Sequence, residues 1–204
     1  MDRLMLVVFA NGLRNGMWCD SKDGQRPVET MVIEELLPHI DATYRSIANR
    51  EGRLIEGFSM GGYGAGRLGF KHPEMFCAIS MLGAGPLQPE LNVAPRVGPQ
   101  GREQILQDAF GGDMAYFRAQ SPWVLAGQNA AALRKMPIRQ VIGDLDETSP
   151  FNRDFHQRLV DLEIPHTFTL LPGIGHKPLA VLEALGEANW KFYREAFASA
   201  RREG

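Results

Sequence analysis

Five short runs of mostly apolar residues punctuate the chain: Leu4–Ala10, Arg53–Phe58, Cys77–Leu82, Arg139–Ile142 and Thr167–Leu171. Each is stopped by Asn, Ser, Gly or Pro and reads as a strand, and the continuously apolar Leu4–Ala10 suits a strand buried on both faces. Between them the apolar residues recur at helical spacing. Val28, Met31, Val32, Leu36, Ile40, Tyr44 and Ile47 predict a helix over Val28–Asn49, kinked at Pro38 because proline lacks the amide proton and crowds the preceding turn. Further helices are predicted over Met60–Lys71, Arg102–Phe110, Phe151–Leu162 and Leu179–Phe197. Strands alternating with helices imply an α/β fold, a mostly parallel sheet with helices on both faces. Gly83–Gly101 breaks the rhythm with Pro86, Pro89, Pro95 and Pro99, so residues 83–136 read as an irregular excursion over one end of the sheet, near the active site.

A length of 204 residues with 44% hydrophobic content suits one domain spanning 1–204. The formal net charge of −2 is spread without charge runs, which argues against nucleic acid or an anionic membrane as partner. Cys19 and Cys77 are too few for a disulfide framework and read as buried free thiols. The apolar run at the N-terminus is too short to span a bilayer and lacks the basic lead-in and cleavage site of a signal peptide. A cytoplasmic protein is expected.

Gly57-Phe58-Ser59-Met60-Gly61 fits G-x-S-x-G and stands where that motif must stand, between a strand and a helix. A serine on so tight a turn projects its hydroxyl above the sheet, small neighbours let strand and helix approach, and the Met60 N–H faces the position of a tetrahedral oxyanion. A turn of this composition also suits phosphate binding, or chain reversal alone. What favours a nucleophile is the order of its partners. Asp144 and Asp146 follow the strand at Arg139–Ile142, and His176 follows the strand at Thr167–Leu171, so all lie beyond strand ends at the edge that carries Ser59. The order Ser, Asp, His is that of α/β-hydrolases. His176 would be the general base. Asp146 reaches further into the cleft than Asp144, whose position also suits a turn-stabilising role.

The segments GFSMGGYGAGRLGFKHPEMF, VETMVIEELLPHIDATYRSIANREGR and NGMWCDSKDG resemble the putative esterase family, which includes esterase D, feruloyl and acetyl esterases and the antigen 85 mycolyltransferases. The resemblance implies an α/β-hydrolase fold and a triad of Ser59, Asp146 and His176, with no metal or other cofactor. It also implies a departure. Family members carry several strands before the segment matching NGMWCDSKDG, one of which ends in a His-Gly turn that supplies a second oxyanion donor, so this chain looks N-terminally shortened and lacks the usual first strands. Leu4–Ala10 is expected to slide in beside Arg53–Phe58, with Asn11-Gly12-Leu13 replacing the His-Gly turn and Leu13 giving the second N–H; the other repair is by a second copy of the chain. Either leaves an apolar sheet edge exposed, and a homo-oligomer is expected.

Gly12, Trp18 and Trp123 are candidate substrate contacts, and Met17 beside Trp18 could also line an acyl pocket, although Met17 and Trp18, like Phe117 and Trp123, equally suit core packing. The expected function is hydrolysis of a short-chain carboxylic ester through an acyl-enzyme, short because so compact a chain has little material for a lid. The alternatives are S-formylglutathione hydrolysis or acyl transfer, which the resemblance implies, and a hydrolase-like binding protein without activity.

Overall fold

The computed structural model describes residues 5–203, with side chains described through residue 200. Four parallel strands, β1 (Leu54–Phe58), β2 (Ala78–Leu82), β3 (Ile138–Gly143) and β4 (Thr167–Leu171), form one sheet in the order β1-β2-β3-β4. The central strands β2 and β3 are buried throughout, while β1 is half-buried along its length. This is the α/β sheet that the apolar runs predict.

Helices cover the two faces through separate apolar clusters. On one, Phe70, Ile79, Met81, Leu87, Ile138, Phe155 and Leu159 pack together. On the other, Leu82, Val141 and Leu171 meet Val181 and Leu185 of the C-terminal helix Pro178–Glu203, and Cys77 and Ala78 meet its Ala196 and Ala200. That helix is broken at Gly186 (φ 47°, ψ −125°), so that each half can address its own cluster. Both cysteines are buried and unpaired, and burial pushes each thiol up to about 11.

Three expectations are corrected. Residues 5–10 form no strand and lie mostly exposed, with Phe9 93% accessible; Leu4 lies outside the described residues. Among the described residues no strand pairs with the outer edge of β1, which leaves the N–H and C=O groups on that side open. The helix predicted over Val28–Asn49 stops at Thr43 and is composite: Val28–Thr30, a π-helical Met31–Leu36, then Leu37–Thr43. The π-helical stretch ends two residues before Pro38, where the α-helical ladder lacks a donor. The excursion is more regular than its prolines suggest. Residues 83–94 are irregular, but Gly98–Phe110, Met114–Gln120 and Pro122–Gln128 are helical, the second capped by Asp113 and the third by Ser121. Their side chains Leu106, Phe110 and Phe117 build a satellite core with Met17, Tyr63 and Leu91.

Candidate active site

Strand β1 delivers the chain to Ser59, which is held at φ 60°, ψ −121°, and the helix Met60–Lys71 departs at once. Two glycines make that turn possible. A Cβ on Gly57 would stand 2.1 Å from the Gly61 carbonyl oxygen, and one on Gly62 would stand 2.8 Å from the Ala84 Cβ. The Ser59 N–H donates to the Leu82 carbonyl at 2.9 Å, which anchors the strained residue to β2. The Met60 amide begins the helix, where backbone N–H groups have no partner within the helix and point outward.

Beyond β4, the turn Pro172–Gly175 brings His176 over the sheet edge. Its Nε2 lies 2.8 Å from Ser59 Oγ, and its Nδ1 lies 2.6 Å from Asp146 Oδ2. The Phe58 ring flanks the imidazole, with centroids 4.7 Å apart. Asp146 is 4% exposed. Its second oxygen accepts from the Thr148 N–H at 2.9 Å and the Thr148 hydroxyl at 2.8 Å. Burial by itself would raise its pKa, but the hydrogen bonds from His176 and Thr148 prevail and hold the carboxyl below the usual range. Asp144 points elsewhere and accepts from the Gly173 N–H at 2.7 Å, fastening the turn that carries His176.

A cavity of about 100 Å³ opens at Ser59 and His176, walled by Met17, Met60, Pro86, Val93, Val97 and Ile105. Arg96 also lines it and is ion-paired with Glu147. Other expected contacts are placed differently. The Leu13 N–H donates to Asn11 Oδ1 at 3.0 Å, the side chain having captured a nearby amide, and Leu13 is not part of the cavity wall. The Trp18 indole lies against Gly12 and Gly64, where added Cβ atoms would fall 2.7 and 2.3 Å from it, so it plugs loop to helix while its neighbour Met17 lines the cavity. Trp123 packs near Phe155, with centroids 6.1 Å apart, and under the Arg158 guanidinium. Among the described residues no cluster of His, Cys, Asp or Glu suits a metal ion.

The family model for Putative esterase matches residues 7–173, most of the chain, including Ser59 and Asp146. The chain belongs to that family. Esterase Rv1288 of Mycobacterium tuberculosis is 29% identical over 195 residues, an alignment that covers 84% of this chain and 41% of that protein. The chain thus spans less than half the length of this curated relative. A ferulic acid esterase structure superposes with a TM-score of 0.66 at 28% identity, covering 90% of this chain and 64% of the other. An S-formylglutathione hydrolase from Agrobacterium tumefaciens gives 0.67 at 21% identity, with 88% and 63% covered, a likeness of fold. The esterase family membership and the α/β-hydrolase fold expected from the serine motif therefore hold.

Proposed function

We propose that this chain hydrolyses carboxylic esters with Ser59 as nucleophile, His176 as general base and Asp146 as the acid that orients it. The supporting observation is the unbroken line from Ser59 Oγ to His176 Nε2 at 2.8 Å and from His176 Nδ1 to Asp146 Oδ2 at 2.6 Å. With Nδ1 protonated toward Asp146, Nε2 is left to accept the serine proton as Oγ attacks the ester carbonyl. The Met60 N–H donates to the resulting oxyanion, the alcohol leaves with the proton from His176, and water then deacylates the serine by the same route.

Substrate size follows from the cavity. A volume of about 100 Å³ is well below the ~300–1,000 Å³ of drug-sized ligand sites and favours short acyl chains. Arg96 is neutralised by Glu147, which favours an uncharged ester over an anionic one. The protein works as a homo-oligomer that covers the unpaired edge of β1 and the apolar residues 5–9, and two unpaired thiols suit a reducing, cytoplasmic setting. The test of the site is hydrolysis of p-nitrophenyl acetate and butyrate, with labelling by a fluorophosphonate, in the wild type and Ser59→Ala. Turnover and labelling that both vanish in the variant support the reading. A folded wild type that neither turns over nor labels overturns it.

A further inference from the structure

The turn Gly16–Cys19 is closed by the Cys19 N–H on the Gly16 carbonyl at 3.2 Å, and its two central residues, Met17 and Trp18, both have left-handed φ, 48° and 52°. Turns with two consecutive left-handed residues ordinarily use Gly, Asn or Asp, because a larger side chain there costs roughly 1–2 kcal/mol per residue. Here a methionine and a tryptophan occupy both positions, and Leu13 and Asn15 just before them are also left-handed, at φ 56° each. Strain of this kind persists only where surrounding contacts enforce it, and it concentrates where a side chain must be aimed.

The enforcing contacts come from the helix that begins at Ser59. The Trp18 indole fills the notch left by Gly64, and one turn further along the same helix face Arg67 Nη1 donates to the Trp18 carbonyl at 2.7 Å. Arg67 is fully buried, and its other terminal nitrogen is shared by Glu29 and the Gln120 side-chain carbonyl. Glu29 is held in turn by Lys71 and by His72, whose Nε2 lies 2.7 Å from its carboxylate. A buried guanidinium with so many partners has one orientation available. Clamped in this way, Met17 is 1% exposed and forms part of the cavity wall at Ser59.

We propose that Met17 determines substrate size and that Arg67 is a positioning residue acting through it: the nucleophile's own helix fixes the strained Met17–Trp18 turn and thereby the wall of the substrate pocket. This rests on the esterase reading. The experiment measures kcat/KM for p-nitrophenyl esters of increasing acyl length and for acetates of increasingly large alcohols, in the wild type, Met17→Ala, Arg67→Lys and the double variant. Fluorophosphonate labelling of Ser59 is followed in each. Met17→Ala should shift preference toward the larger member of one series by about tenfold, as loss of a few methylene-sized contacts from a pocket does. Arg67→Lys keeps the charge but cannot hold Glu29, Gln120 and the Trp18 carbonyl together, so it should shift the same preference in the same direction. In the Met17→Ala background it should add no further shift.

Labelling should persist in all of these variants. Labelled variants with wild-type preference in both series overturn the proposal while leaving the esterase reading intact. So does an Arg67→Lys protein whose melting temperature falls with no change in preference, since that is what a purely structural arginine gives. If Arg67→Lys does not fold, Gln120→Ala and Met17→Ala carry the test, and wild-type preference in both overturns it. Absence of labelling in the folded wild type removes the esterase reading, and this inference with it.

Discussion

Asp146 shows how much one carboxylate depends on its neighbours. One oxygen faces His176 and the other takes both donors of Thr148, so each oxygen has a distinct task. Asp146→Asn can keep the Thr148 bonds through its amide oxygen but presents an NH₂ to His176, which favours the wrong imidazole tautomer. We expect kcat to fall by about 10³–10⁴ with little change in melting temperature, read from steady-state kinetics beside a thermal melt. Glu29 makes the contrasting case. Burial acts to raise its pKa, but hydrogen bonding from His72 and the charge of Arg67 outweigh it, so the folded-state pKa lies far below its ordinary 4.5. A carboxylate depressed in the folded state contributes stability that is full above its ordinary pKa and is lost as pH falls toward the folded value. Glu29→Gln, which strands a buried arginine, is expected to cost roughly 3–5 kcal/mol at pH 7. The gap to wild type should narrow as pH falls below 4.5, because the unfolded wild-type chain then takes up a proton on Glu29 that the folded protein does not yet bind. Urea melts at several pH values measure this, and a gap constant with pH would refute it.

At the scale of the element, the strand-turn-helix around Ser59 depends unequally on its glycines. Gly57→Ala places a Cβ 2.1 Å from the Gly61 carbonyl oxygen, a backbone atom that cannot move without opening the turn. A loss of about 3 kcal/mol or more is expected. A Cβ on Gly61 meets nothing within 4 Å, and Gly61 has no left-handed φ. Its position inside the helix should make Gly61→Ala neutral or stabilising by up to about 1 kcal/mol, since alanine is the better helix former. Denaturant midpoints of the two variants, compared directly, should fall on opposite sides of the wild type or nearly so. The motif was legible in the sequence because its demands are local: a close approach of backbone to backbone, met by glycine alone. The helical content of 98–128 was harder to read, because prolines at the first helical positions start a helix as readily as they end one.

For the molecule as a whole, the β1 edge that no described residue pairs with and the exposed apolar residues 5–9 both lack cover among the described residues. Leu6 and Val7 are each more than half accessible, and Phe9 almost entirely so. If the proposed homo-oligomer buries them, Phe9→Lys should shift light-scattering mass toward monomer at micromolar concentration and lower specific activity on dilution. An unchanged mass would show that the copies meet elsewhere, or not at all. The interior shows how far a strand pattern can mislead about its own contents. Arg139 lies in β3 and is 4% exposed, satisfied by Ser80 on β2, Glu56 on β1 and Asn189 on the C-terminal helix, with the Phe192 ring 4.2 Å away. These five residues come from four separate elements, Asn189 and Phe192 sharing the C-terminal helix, and no spacing relates Arg139 to its partners.

The sequence by itself determined the four strands of the sheet, the helix that follows Ser59, the serine turn and the arrival of an acid and a histidine beyond later strand ends. Each of these rests on a local requirement of the backbone, such as burial on two faces, helical periodicity or a glycine where a side chain has no room. Only the tertiary structure decided what each aspartate touches: Asp146, which the sequence already favoured, comes within 2.6 Å of His176, while Asp144 takes the Gly173 N–H. It also decided that residues 5–10 stay out of the sheet although the β1 edge is open to them, a choice set by the whole chain's packing and not by the local apolar pattern. And it set Met17, rather than Trp18 or Leu13, against the cavity, an outcome fixed by Gly64 and Arg67 on a helix some fifty residues away along the chain.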